Sequence, residues 1–149
     1  MKKLTLLFAL LITTVFGASA QIEDPVSWSY GFKKLSSTEA VVYMKATIED
    51  GWHIYSQNVK PGGPIKTTVK FAPSKQFTKV GVTAEPKPIT KYEKTFSMNV
   101  SYFENEVIFQ QKVKLVKGQA LVKGTIEFMT CNDRKCLPPN EVPFSVQVK

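Results

Sequence analysis

Glu39-Ala40-Val41-Val42-Tyr43-Met44-Lys45-Ala46-Thr47-Ile48-Glu49 alternates along its whole length. Val42, Met44, Ala46 and Ile48 fall on one side, and Val41, Tyr43, Lys45 and Thr47 on the other. A period of two sustained this far, with β-branched residues throughout, predicts a strand with one face on a core. Asp50-Gly51 is a turn signal, and Trp52-His53-Ile54-Tyr55 resumes an extended segment. The same pattern recurs outward in both directions. Ser27 to Lys34 carries Trp28, Tyr30 and Phe32 on one face. After the loop Lys60-Pro61-Gly62-Gly63-Pro64, Ile65 to Phe71 and Phe77 to Ala84 predict two more strands, separated by Ala72-Pro73-Ser74. Glu85-Pro86-Lys87-Pro88 excludes a central strand, and the polar segment Ile89 to Phe96 reads as a long loop exposing Tyr92 and Phe96. Ser97 to Phe103, Val107 to Val116 and Ala120 to Thr130 follow, with Asn105 and Lys117-Gly118-Gln119 as turns, and the last strand is Val142 to Val148. Eight or nine short strands with regular turn signals predict an all-β antiparallel sandwich, with a barrel as the alternative architecture.

The first twenty residues have another character. Lys2 and Lys3 precede Leu4 to Phe16, apolar apart from three threonines, and Ala18-Ser19-Ala20 is a small-x-small cleavage site. That order is a secretory signal peptide, residues 1–20, cleaved after Ala20. Its apolar run is shorter than the roughly 20 residues a spanning helix needs, and no cysteine follows the cleavage site to carry lipid. The expectation is one exported domain, residues 21–149, without stable membrane insertion, periplasmic or secreted, and monomeric. It is long enough to bury its own core. Loss of Lys2 and Lys3 takes the formal charge from +8 to +6. The remaining lysines are scattered, which fits solubility and attraction to acidic partners and argues against nucleic-acid binding.

The only two cysteines stand in Cys131-Asn132-Asp133-Arg134-Lys135-Cys136-Leu137-Pro138-Pro139. Outside the cytosol two thiols can oxidise and stay oxidised, and two permit a single intramolecular pairing. A structural staple is the ordinary reading of such a pair. Three features weigh against it. A disulfide closing a six-residue ring stabilises by only about 2 kcal/mol, against nearly 5 for a loop of about a hundred residues. Arg134 and Lys135 lie inside the ring, where cations favour the thiolate that attacks in exchange, although Asp133 opposes them. Pro138 and Pro139 remove two backbone donors just after Cys136, which keeps the loop out of a ladder. Other cysteine chemistry fits poorly. Zinc needs about four ligands, and the lone His53 adds too little to make a metal site or a cysteine protease. A thioredoxin-like fold would show Cys-x-x-Cys opening a helix in a βα pattern.

At these residues the sequence resembles the N-terminal periplasmic domain family of the thiol:disulfide interchange protein DsbD. Cys131 to Pro139 is similar to the family's Cys, short gap, Cys, one residue, Pro-Pro. Asp50-Gly51-Trp52-His53-Ile54-Tyr55 is similar to its Asp-Gly followed by aromatics, and Tyr92 to Phe103 falls where the family has a loop covering the disulfide. The gap of four residues between the cysteines is one shorter than in the family's best-known member. The resemblance implies an immunoglobulin-like sandwich with a redox-active Cys131–Cys136 pair. It implies that Cys136 attacks or is attacked by partners, that Cys131 resolves the mixed disulfide, that Tyr92 shields the pair, and that Trp52 and Tyr55 lie near it. Because the sequence ends at Lys149, a free-standing version of the domain is expected, fed by a separate membrane electron donor.

Two functions follow. In the first, the reduced pair passes two electrons to exported thioredoxin-fold partners, with no cofactor and no metal, as a thiol–disulfide oxidoreductase. In the second, the chain is a non-catalytic exported binding module whose disulfide is inert.

Overall fold

The computed structural model describes residues 23–149, so the signal-peptide segment 1–20 lies outside the described residues. Eleven strands and no helix make up the described chain, and no helix there is long and apolar enough to cross a membrane. β1 (Val26–Lys34), β2 (Glu39–Ile48), β8 (Glu106–Leu115) and β5 (Phe77–Ala84) form one sheet in that order. β10 (Thr130–Asn132), β3 (Trp52–Tyr55), β7 (Met98–Phe103) and β6 (Ile89–Glu93) form a second. β11 (Asn140–Val148), β9 (Ala120–Phe128) and β4 (Thr68–Phe71) form a third. Every pairing is antiparallel.

The alternation of β2 is the key to the packing. Ala40, Val42, Met44, Ala46 and Ile48 are all buried, and β8 answers them with Val107, Phe109, Val113 and Leu115. This face meets the other two sheets in one core that includes Ile54 of β3, Phe103 of β7, Ile126 and Phe128 of β9, and Phe144 of β11. Aromatic pairs join the layers: Phe103 with Phe109 at 6.0 Å between ring centroids, Trp28 with Phe128 at 5.3 Å, and Tyr30 with Phe144 at 5.7 Å. Burial of this kind contributes about 25 cal/mol per Å2 of apolar surface. The result is the immunoglobulin-like antiparallel sandwich.

The expected turns form where the chemistry places them. Gly51 takes φ +80° between β2 and β3, and Asn105 takes φ +61° between β7 and β8, a conformation that Gly and Asn adopt most readily. Two departures matter for the site. Ile89 to Glu93, expected as part of a loop, is strand β6, an edge strand paired only with β7. Its polar sequence follows from that position, since four of its five residues are exposed and charged edges resist further pairing. The segment Ala120 to Thr130, expected as one strand, breaks at Met129. The chain there leaves the third sheet as β9 and enters the second as β10.

Candidate functional site

The switch at Met129 carries Cys131 onto the outer face of the second sheet. Strand register shows what it meets there. Cys131 pairs with His53, and Tyr55, two residues on, pairs with Tyr102. Val100 and Met98 continue that face along β7 and pair with Lys91 and Glu93 of β6. Directly opposed residues in an antiparallel pair share a face. The outer face therefore gathers Cys131, His53, Tyr55, Tyr102, Val100, Met98, Lys91 and Glu93. Tyr55, Val100, Tyr102 and Cys131 form a small buried cluster of their own, with Val59, Phe96, Met98 and Met129 packed against it.

Cys131 and Cys136 are bonded, with an S–S distance of 2.03 Å. The ring between them is a tight turn held by the Asn132 side chain, whose Oδ1 accepts from the backbone N–H groups of Arg134 and Lys135, both at 2.9 Å. Asn132 N–H donates to the Lys135 carbonyl at 2.9 Å, and Leu137 N–H to the Thr130 carbonyl at 2.8 Å. Leu137 to Pro139 belongs to no strand, and β11 begins only at Asn140. The two cysteines are unequal. Cys131 is 1% exposed, whereas Cys136 is an exposed residue at the rim.

A cavity of about 370 Å3 lies over the pair, lined on one side by ring residues and on the other by His53, Tyr55, Lys91, Glu93, Thr95 and Phe96. Phe96 occupies the four-residue turn between β6 and β7, where Phe96 N–H donates to the Glu93 carbonyl at 3.3 Å and Ser97 takes φ +52°. The turn brings Phe96 back against the outer cluster, half-buried, where it lines the same cavity as Cys131.

The residues proposed from sequence distribute unevenly. Cys131, Cys136 and Tyr55 come together. Trp52 does not face the pair: it neighbours the ring through its register with Asn132, but its side chain packs on the main core. Tyr92 is turned away by the same alternation that turns Lys91 and Glu93 toward the cavity; it is 56% exposed and does not line the site. Phe96, from the turn that follows, lines the cavity. His53 was legible only as a strand-edge residue, because its place beside Cys131 follows from pairing between segments nearly eighty residues apart.

The electrostatics are mixed. Lys135 Nζ points to Glu23 Oε2 at 2.5 Å, which occupies the cation closest in sequence to Cys136. His53 Nε2 lies 3.2 Å from Tyr55 Oη, and its ring packs at 4.9 Å from that of Tyr102. Burial pushes the His53 imidazole below its usual value, against the raising influence of Glu93, Glu104 and Asp133. Burial also pushes the Tyr55 phenol up to about 12, so it stays neutral across the physiological range. Among the described residues, no group of three or more His, Cys, Asp or Glu is gathered as metal ligands.

The family described as "Thiol:disulfide interchange protein DsbD, N-terminal" matches residues 23–147. Among solved structures, the DsbD N-terminal domain of Neisseria meningitidis, seen in complex with the PilB N-terminal domain, is 15% identical, with a TM-score of 0.55 over 84% of this chain and 87% of that one. The reduced form of the Neisseria meningitidis domain gives 18% identity and a TM-score of 0.50 over 78% and 82%. The N-terminal periplasmic domain of ScsB from Proteus mirabilis gives 17% identity and a TM-score of 0.54 over 83% of this chain and 44% of that one. No curated protein matches the chain in sequence.

Proposed function

This chain belongs to the family of N-terminal domains of the thiol:disulfide interchange protein DsbD, and from that premise we propose that it is an exported electron carrier working through Cys131 and Cys136. The reduced pair passes two electrons to thioredoxin-fold partners and is recharged by a membrane electron donor. Cys136 thiolate attacks the partner disulfide, forming a Cys136–partner bond and releasing one partner thiolate. Cys131 then attacks Cys136 Sγ, the disulfide re-forms, and the second partner thiolate leaves. The pair is oxidised and the partner reduced by two electrons. No cofactor enters these steps. Phe96 restricts access to the sulfurs until a partner displaces it, and Tyr55 lines the wall behind Cys131. That the Neisseria meningitidis domain forms a complex with the PilB N-terminal domain supports docking of another protein domain as the mode of exchange. A periplasmic setting agrees with the leader read from residues 1–20.

The observation that carries this reading is the asymmetry of the disulfide, with Cys131 buried and Cys136 exposed at the rim of the cavity that Phe96 also lines. Equilibration with glutathione and dithiothreitol buffers tests it. An exchanging pair has a potential above about −300 mV, whereas an inert staple lies below. A value below that threshold would support the binding-module function instead.

A further inference from the structure

The interchange reading leaves a proton unassigned. Cys136 stands at the rim, where solvent can take its proton. Cys131 is 1% exposed and sits in an apolar cluster, surroundings that hold a thiol protonated. It must nevertheless become a thiolate to close on Cys136, and must recover a proton when the disulfide opens. His53, the one histidine of the chain, is its direct cross-strand partner and lines the same cavity.

We propose that His53 is the acid–base group for Cys131, taking the proton of its thiol as Cys131 closes on Cys136 and returning it when the disulfide opens. The proposal rests on the interchange reading and assigns one further residue to it. His53 Nε2 and Tyr55 Oη lie 3.2 Å apart, and a neutral imidazole carries one N–H and one lone pair, so the ring can take up a thiol proton in either tautomer. Tyr102 packs on the ring from β7 and fixes its plane. The charged groups around the imidazole are Lys91 and Glu93 from β6, Glu104 beyond β7, and Asp133, Arg134 and Lys135 from the ring, with Lys135 drawn to Glu23. These acids and bases oppose one another, and burial keeps His53 neutral and able to accept a proton near pH 7.

In the resolving step His53 takes the Cys131 Sγ proton. Cys131 thiolate forms the bond to Cys136 Sγ, the Cys136–partner bond breaks, and the electron pair leaves on the partner sulfur. The imidazolium then gives its proton to that thiolate or to water. In the opposite direction the imidazolium protonates Cys131 as it leaves.

The test uses the reduced protein and glutathione disulfide, with acid quenching and intact mass to follow the Cys136–glutathione adduct. Formation is bimolecular and reports Cys136; decay is unimolecular and reports Cys131. In the wild type, decay should rise with pH and level off well below the thiol range, because burial lowers the pH at which the His53 imidazole loses its proton. His53→Gln should form the adduct at the wild-type rate and resolve it about a hundredfold more slowly at neutral pH, the lower end of what a positioned base contributes. Its decay should keep climbing toward the ordinary thiol range near pH 8.5. Two results would overturn the assignment: a wild-type profile whose only inflection lies in the thiol range, or a His53→Gln protein with the wild-type decay rate and profile. The first needs no variant to fold. Failure of glutathione disulfide to oxidise the wild type at all, with neither adduct nor a re-formed Cys131–Cys136 disulfide, would instead overturn the interchange reading itself.

Discussion

Tyr92 on β6 and Phe96 in the turn that follows it face opposite ways. The difference is a matter of parity. Tyr92 is on β6 between two residues that line the cavity, while Phe96 sits in the turn itself and packs against the outer cluster. The sequence offered both aromatics in the right segment, and polarity alone could not choose between them. The choice became visible only once Glu93 was paired with Met98. A half-buried phenyl ring contributes about 1 to 1.5 kcal/mol through its covered surface, and each ~1.4 kcal/mol is a factor of ten in rate. Phe96→Ala should therefore speed reduction of the disulfide by dithiothreitol by about tenfold, while Tyr92→Ala leaves the rate near that of the wild type. Stopped-flow reduction of the two variants side by side checks the assignment.

At the scale of elements, the legible strands were those with one face in the core. β2 and β8 fall within a residue of where alternation and turn residues place them, since burial writes a period of two into the sequence. Two of the strands that build the site, β6 and β10, are ones that alternation did not reveal. β6 has a single neighbour and no core to face, so its residues carry an edge's polarity. β10 is three residues long and continuous with β9 in pattern, and only its change of partner sheet separates them. The third sheet depends on one close approach of the same kind. Gly124 lies between Phe71 of β4 and Phe144 of β11, and a Cβ there would stand 2.1 Å from the Lys70 carbonyl oxygen and 2.5 Å from the Phe144 ring. A backbone oxygen cannot turn aside as a side chain can. Gly124→Ala should cost about 3 kcal/mol or more through overpacking, read as a fall in the urea midpoint with an unchanged slope.

Across the whole molecule, stability and chemistry are held in different places. The core is shared by three sheets and includes neither cysteine, while the disulfide closes a ring with a sequence separation of 5. Replacing both cysteines by alanine should lower stability by only about 2 kcal/mol and leave the far-ultraviolet circular dichroism unchanged. A loss large enough to unfold the domain would mark the pair as a staple. Fold class and the cysteine pair could be read from the chain because both are local in sequence. Of the neighbours of Cys131, Tyr55 was reached only through the family resemblance, and His53, Tyr102 and Glu93 were not reached, because they arrive from β3, β7 and β6 through pairings that no single segment encodes.

The central claim is that exchange occurs at Cys136, with Cys131 behind it. It is tested most directly by reducing the Cys131→Ala and Cys136→Ala proteins, mixing each with an oxidised thioredoxin-fold protein, and weighing the products under non-reducing conditions. A stable mixed disulfide on Cys131→Ala, and little or none on Cys136→Ala, is the predicted result. Equal trapping by both variants, or trapping by neither, would contradict it.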